Sequence, residues 1–112
     1  MKNLSKEIKE IMMKSGDIEC CERVFDLSQN LCTAENILMS DVQQLSLLSH
    51  LSAMVHRSLT GEKLVPLDRE LFSEISRESL EIAKKLKESL SNLDEDEVYL
   101  LSIHFEVAKQ NS

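Results

Sequence analysis

Two glycines, one proline and no tryptophan leave this chain few of the punctuating residues from which tight turns and hairpins are made. That scarcity argues against a sheet of short strands, since hairpin turns lean on Gly, Asn-Gly and Pro. No apolar run approaches the ~20 residues that a membrane-crossing helix needs. The opening Met1-Lys2-Asn3-Leu4-Ser5-Lys6-Glu7 lacks the apolar stretch of a secretory signal. The expected compartment is the cytoplasm, and the expected organisation is one helical domain over residues 1–112.

Positive charge is also scarce. Thirteen Lys and Arg stand against twenty Asp and Glu, a formal net charge of −7. Binding to a phosphate backbone draws on clustered Lys and Arg that release counterions. No Arg-rich stretch is present, so direct nucleic-acid binding is not expected. Cysteine is limited to Cys20, Cys21 and Cys32, an odd count. Without a secretory signal these read as reduced thiols. Their spacing is not that of a zinc or redox motif, and small buried apolar residues is the plainer reading.

What the chain does have is apolar residues at intervals of three and four, the period of a helix. The pattern predicts an all-α bundle of about five helices. The first covers about Leu4 to Lys14, with Leu4, Ile8, Ile11 and Met12 on one face and Gly16 as its stop. The second runs from about Asp17 to Cys32, with a looser stripe of Ile18, Cys21, Val24, Phe25 and Leu31. Ile37-Leu38-Met39 must then pack somewhere, unless the second helix resumes there. The third starts near Ser40, where Gln43 completes a capping box. Val42, Leu45, Leu48, Ser52, Val55 and Leu59 line its inner face, and Gly61 ends it. Asp68 is a good N-cap for the fourth, whose face reads Phe72, Ile75, Ser79, Ile82, Leu86 and Leu90, widened by Ala83. Its other side, with Glu74, Arg77, Glu81, Lys84, Lys85 and Glu88, is solvated surface. The fifth begins at Asp94, with Glu97 in the capping-box position. Beyond it apolar residues wrap most of the circumference, which predicts the centre of the bundle or a dimer interface.

Two histidines interrupt apolar runs in matching settings, His50 on the third helix and His104 on the fifth. A buried imidazole needs a hydrogen-bond partner or a function. Zinc would require about four ligands, or three and a water, and no spacing among His50, His56, His104 and the cysteines supplies them. No metal and no cofactor are expected. Nucleophilic catalysis would require an activated Ser or Cys beside an oriented His. Ser49 and Ser102 neighbour the histidines in sequence but point elsewhere on a helix. A phosphate-accepting imidazole fits better, because neutral imidazole is nucleophilic near neutral pH. Arg57 lies seven positions after His50, nearly two turns, on the same face and about 10 Å along it. From there a guanidinium can reach a phosphate. His56 faces elsewhere, near the helix C-terminus, where the dipole favours a cationic ring.

These residues carry a family resemblance. His50-Leu51-Ser52-Ala53-Met54-Val55-His56-Arg57, followed by Gly61 and Pro66, resembles the first motif of the PTS regulation domain, the PRD. The segment from Leu93 to His104, with an acidic start, Glu97 and a His seven positions later, resembles the second. Leu80, Ile82 and Ala83 fall where the family has an aromatic-x-aliphatic-small pattern. The likeness is specific over Ser40 to Lys109. Where the family often has Asp before the first His, this chain has Ser49.

The resemblance implies a dimerising helical bundle. It implies phosphorylation of His50 and His104 by the sugar phosphotransferase system, through its phosphocarrier protein or a sugar-specific component. Arg57 would be a phosphate or pairing partner, and Glu97 a structural or pairing residue. PRDs usually come in tandem beside a nucleic-acid-binding module, so this chain reads as a stand-alone PRD that acts through a partner protein or its own dimer. The expected function is a transcription or antitermination-related regulator of carbohydrate metabolism, not an enzyme. The alternative is a constitutive helical adaptor without phosphotransfer, and a small metal- or thiol-dependent enzyme is a third reading.

Overall fold

The computed structural model describes residues 2–111, with side chains from Ser5 onward. Five helices follow in order: α1 Lys2–Lys14, α2 Ile18–Ala34, α3 Asp41–Thr60, α4 Arg77–Glu88 and α5 Asp96–Ala108. Short 3-10 turns occupy Arg69–Phe72 and Lys109–Asn111. Among the described residues there is no strand, as the scarcity of turn formers leads one to expect.

The helix ends are set by local chemistry. Gly16 adopts φ +88 after α1, a conformation that side chains disfavour. Asp17 caps α2 by accepting from the Cys20 amide at 3.1 Å. At α3 both halves of the Ser40–Gln43 capping box form. Gly61 closes the same helix at φ +78, its N–H donating to the Arg57 carbonyl. The side chain of Leu4, expected on the inner face of α1, lies outside the described residues.

The central element is α3. It packs against α1, α2 and α5. Leu48 and Val55 join Met12 and Cys21 in one apolar cluster. Leu47, Leu51 and Met54 face the other way, into the main core with Val24, Ile82, Leu86, Leu101 and Phe105. The expected single face of α3 is therefore too narrow, and its two ends are wrong. Val42 is 77% exposed and Leu59 is exposed as well. Ile18 at the start of α2 is likewise exposed, while Ile37 turns inward after that helix and Leu38 outward.

The fourth helix starts later than expected. Asp68 caps the 3-10 turn instead, accepting from the Glu70 amide. Helix α4 begins at Arg77 behind its own N-cap, Ser76. A carboxylate from α5 settles the matter. Glu106 accepts from the Ser76 amide and hydroxyl, at 3.2 and 2.6 Å, and from the Ser79 hydroxyl at 2.8 Å. An anion beside those N-terminal donors suits the helix dipole. Ser79, Ile82, Ala83 and Leu86 are buried as expected, while Phe72 and Ile75 precede the helix.

Helix α5 also starts late, at Asp96, and without a side-chain cap. Glu97 does not reach back to Asp94, because its carboxylate is engaged across the bundle by Arg57. The connection between α3 and α4 is tied to this start. Arg69 pairs with Asp96 at 2.9 Å and lies over the Tyr99 ring. Helix α5 buries Val98, Leu101, Ser102, Phe105 and Ala108, yet leaves Ile103 39% and Val107 49% exposed. The element wrapped on several sides is thus α3, and α5 keeps an apolar edge.

Candidate functional site

The site lies where α3 and α5 run antiparallel. Two polar contacts join them, spaced seven residues apart on each helix, His50 with His104 and Arg57 with Glu97, and a third, Gln43 with Asn111, follows at the same spacing from the 3-10 turn after α5. Seven residues fall about 20° short of two full turns, so such contacts recur on nearly one face. The sequence motifs acquire a geometric meaning from this. An Arg seven positions after one His and a Glu seven positions before the other must meet once the two histidines meet.

The imidazoles touch directly. Nδ1 of His50 lies 3.0 Å from Nε2 of His104, and the rings meet edge to face, with centroids 5.0 Å apart at 68°. Both residues are half-buried. Neither ring has a second hydrogen-bond partner among the described residues. Burial, followed by the neighbouring His104 and the Arg57 charge, pushes His50 down to about 4. Burial lowers His104 too. Both rings are therefore neutral at pH 7, and one must donate while the other accepts.

Arg57 holds Glu97 through two nitrogens, Nε at 2.7 Å and Nη2 at 2.6 Å. Glu97 is only 1% exposed. A buried carboxylate requires such a partner, and the planar guanidinium fork matches it. Arg57 is thus committed to a carboxylate here, rather than standing free for a phosphate. Its outer side lines a groove of about 320 Å³ between α1 and α3, along with Lys14, Ser49, His56 and Glu62.

The other candidates are placed as follows. Ser102 donates to the Tyr99 carbonyl at 2.6 Å, and Ser49 is exposed on the groove. His56 is exposed on that same groove. Cys21 and Cys32 are buried, and burial raises both thiols, Cys32 to about 11. Cys20 is half-buried and accepts from Arg23. Among the described residues no group of three or more His, Cys, Asp or Glu is placed to hold a metal ion. Among the described residues no helix is long and apolar enough to cross a membrane.

Sequence reasoning identified His50, His104, Arg57 and Glu97 individually but missed the direct contact between the histidines. The available signal was the matched spacing of seven, which an antiparallel pair converts into two simultaneous contacts.

Comparison with known proteins identifies the fold and the family. A family model described as the PRD domain matches residues 26–108. The solved structure of a PRD-containing transcription regulator from Lactobacillus casei ATCC 334 superposes with a TM-score of 0.88, at 33% identity over 96% of each chain. No curated protein matches the sequence. An all-helical fold with its two histidines in contact, matched by the family over most of its length, makes this chain a member of the PRD family.

Proposed function

We propose that this PRD protein is a cytoplasmic, homodimeric regulator rather than an enzyme. It is switched by phosphorylation of His50 and His104, with the phosphotransferase-system phosphocarrier or a sugar-specific component as donor. Its output is transcription or antitermination-related control of carbohydrate metabolism, exerted through a partner protein and without direct contact to nucleic acid. The observation that carries this reading is the His50–His104 contact: two neutral, half-buried imidazoles with an Arg–Glu pair one contact further along the same helices. The solved relative, named as a transcription regulator, supports the regulatory role.

The switch works by charge. A phosphoryl group brings roughly −2. Placed on this face of α3 and α5, it rivals Glu97 for Arg57 and repels the carboxylate. Glu97 is buried, so losing its partner strains the packing of α3 on α5. Two packings biased by a modification are the usual form of such a switch. The exposed apolar edge of Ile103 and Val107 on α5 supports assembly through that side.

The same edge favours a second reading, a constitutive adaptor whose assembly surface needs no phosphate. Intact-mass spectrometry at neutral to basic pH decides between them, after incubation with phosphoenolpyruvate and the general phosphotransferase proteins, then with sugar-specific components. An acid-labile phosphoryl gain that disappears in the His50→Ala, His104→Ala double variant is expected. No gain from any donor, with unaltered assembly in that variant, leaves the adaptor reading in place.

A further inference from the structure

Helix α3 turns three small side chains, Ser49, Ser52 and Ala53, toward α1. The Ser52 hydroxyl donates to the Ile11 carbonyl at 2.7 Å, which pins the two helices together at that level. They run in the same direction, since Gly16 after α1 comes to lie against Leu59 near the end of α3. Small residues on one wall and a pinned partner on the other leave the groove of about 320 Å³ open. That is the small end of the ~300–1,000 Å³ range of ligand pockets. Neither His50 nor His104 lines it.

The polar side chains on this groove are uncommitted. Among the described residues Lys14 and Glu62 make no ion pair, although both line it, and the side chains of Ser49 and His56 make no hydrogen bond. Arg57 gives Nε and Nη2 to Glu97, which leaves Nη1 as its free nitrogen. Lys14 and Arg57 stand in the last turns of α1 and α3, where the helix dipole favours cations. In a chain of net charge −7, Lys14, His56 and Arg57 around one cavity are a local exception. Glu62, just past the left-handed turn at Gly61, adds one acceptor.

We propose that the groove binds one small phosphate monoester with a hydroxylated carbon skeleton. The donors select phosphate. A planar carboxylate is best met by an arginine fork, and the fork of Arg57 is already taken by Glu97. What remains is three single donors on three side chains, the Lys14 ammonium, a His56 ring nitrogen and Arg57 Nη1. These suit the three terminal oxygens of a tetrahedral phosphate. Glu62 accepts hydrogen bonds and repels a second anion, so the rest of the ligand carries hydroxyls rather than another acid. Ser49 offers a further partner for those hydroxyls, and Ile11 and Ala53 give apolar contact to carbon. Because the phosphate shares Arg57 with Glu97, an occupied groove touches the ion pair between α3 and α5. This site needs no phosphotransfer to the histidines.

The test uses the full chain, isotope-labelled for amide spectra and titrated near neutral pH with glucose-6-phosphate, glycerol-3-phosphate, glucose and inorganic phosphate. One saturable site for at least one of the two esters is expected, with amide shifts centred on Ser49, Ala53 and His56. Glucose and inorganic phosphate each lack part of the contact set and are expected to bind at least about tenfold more weakly. Lys14→Gln is expected to weaken the ester about tenfold, through loss of one charge-assisted hydrogen bond. Ala53→Leu keeps a good helix former at an exposed position. It fills the groove and is expected to abolish binding, with a thermal midpoint close to that of the parent chain. No saturation by either ester up to about 10 mM overturns the site. Inorganic phosphate that binds as tightly as the esters reduces the groove to a generic anion contact and overturns it too, as does full-strength ester binding in either variant.

Discussion

Arg57 grips Glu97 with two nitrogens at 2.7 and 2.6 Å, and this ion pair sits seven residues along both helices from the point where His50 meets His104. The two contacts are one structural fact. In an antiparallel pair, matching spacings on the two helices bring both contacts into register together, and a slip of one residue would break both.

The ion pair is the first place to test. Glu97→Ala strands the Arg57 cation in a largely buried position and is expected to destabilise the fold by about 3 kcal/mol. Urea denaturation measures this directly. Replacing both partners with Met is expected to recover most of the loss, since removing a buried pair together is far cheaper than removing half of it. A loss below about 1 kcal/mol for Glu97→Ala would mean that the pair is no better than a surface contact.

The histidines make stability depend on pH in a defined direction. An unfolded chain protonates histidine near pH 6.5, whereas folded His50 resists protonation down to about 4. Between those values the unfolded state binds the extra proton. Stability is therefore lost as pH falls from about 6.5 to about 4, with nothing further lost from this group below that. The groups that face His50 are His104, lowered in the same direction, and Arg57. The loss from His50 is at most about 3 kcal/mol. Urea midpoints at pH 7 and pH 4.5 are expected to differ less in His50→Gln than in the parent chain. Identical drops would show that His50 contributes nothing to acid sensitivity.

Glu106 fastens the start of α4 to the end of α5. Three hydrogen bonds from Ser76 and Ser79 hold its carboxyl below the usual range. Ser79 is fully buried, so Glu106→Ala leaves its hydroxyl poorly satisfied. A loss of about 1–3 kcal/mol is expected. Amide exchange should report faster opening at the first turn of α4 than in α1. Unchanged exchange there would show that the Ser76 cap suffices alone.

Gly61 ends α3 at φ +78, and a Cβ built on it meets Asn92 at 3.4 Å. Space is adequate, so the penalty for Gly61→Ala is conformational, about 1 kcal/mol. Gly61→Asn is expected to be milder, because Asn tolerates the left-handed region better. Thermal unfolding of the two variants checks the order, and a more stable Ala variant would contradict it.

Much of this architecture was legible because it depends on near neighbours. The Ser40–Gln43 box and the Gly16 and Gly61 stops are contacts within one turn, so residue type and spacing suffice to place them. The helical period and the scarcity of turn formers likewise specify an all-α chain. Tertiary structure decided what depends on distant partners. Asp68 and Ser76 are both competent caps, and Glu106, thirty residues further on, selects Ser76 for α4. Glu97 fits a local capping box, but a charged guanidinium in a buried site outcompetes the backbone amide for its carboxylate. The narrow face expected for α3 widened because the helix has packed neighbours on two sides, which periodicity along one helix does not register. The spacing of seven was present in the sequence all along. Only the antiparallel packing of α3 on α5 turned it into a hydrogen-bonded histidine pair and a buried ion pair, because the hand and register of two helices are set by the shape of the core between them.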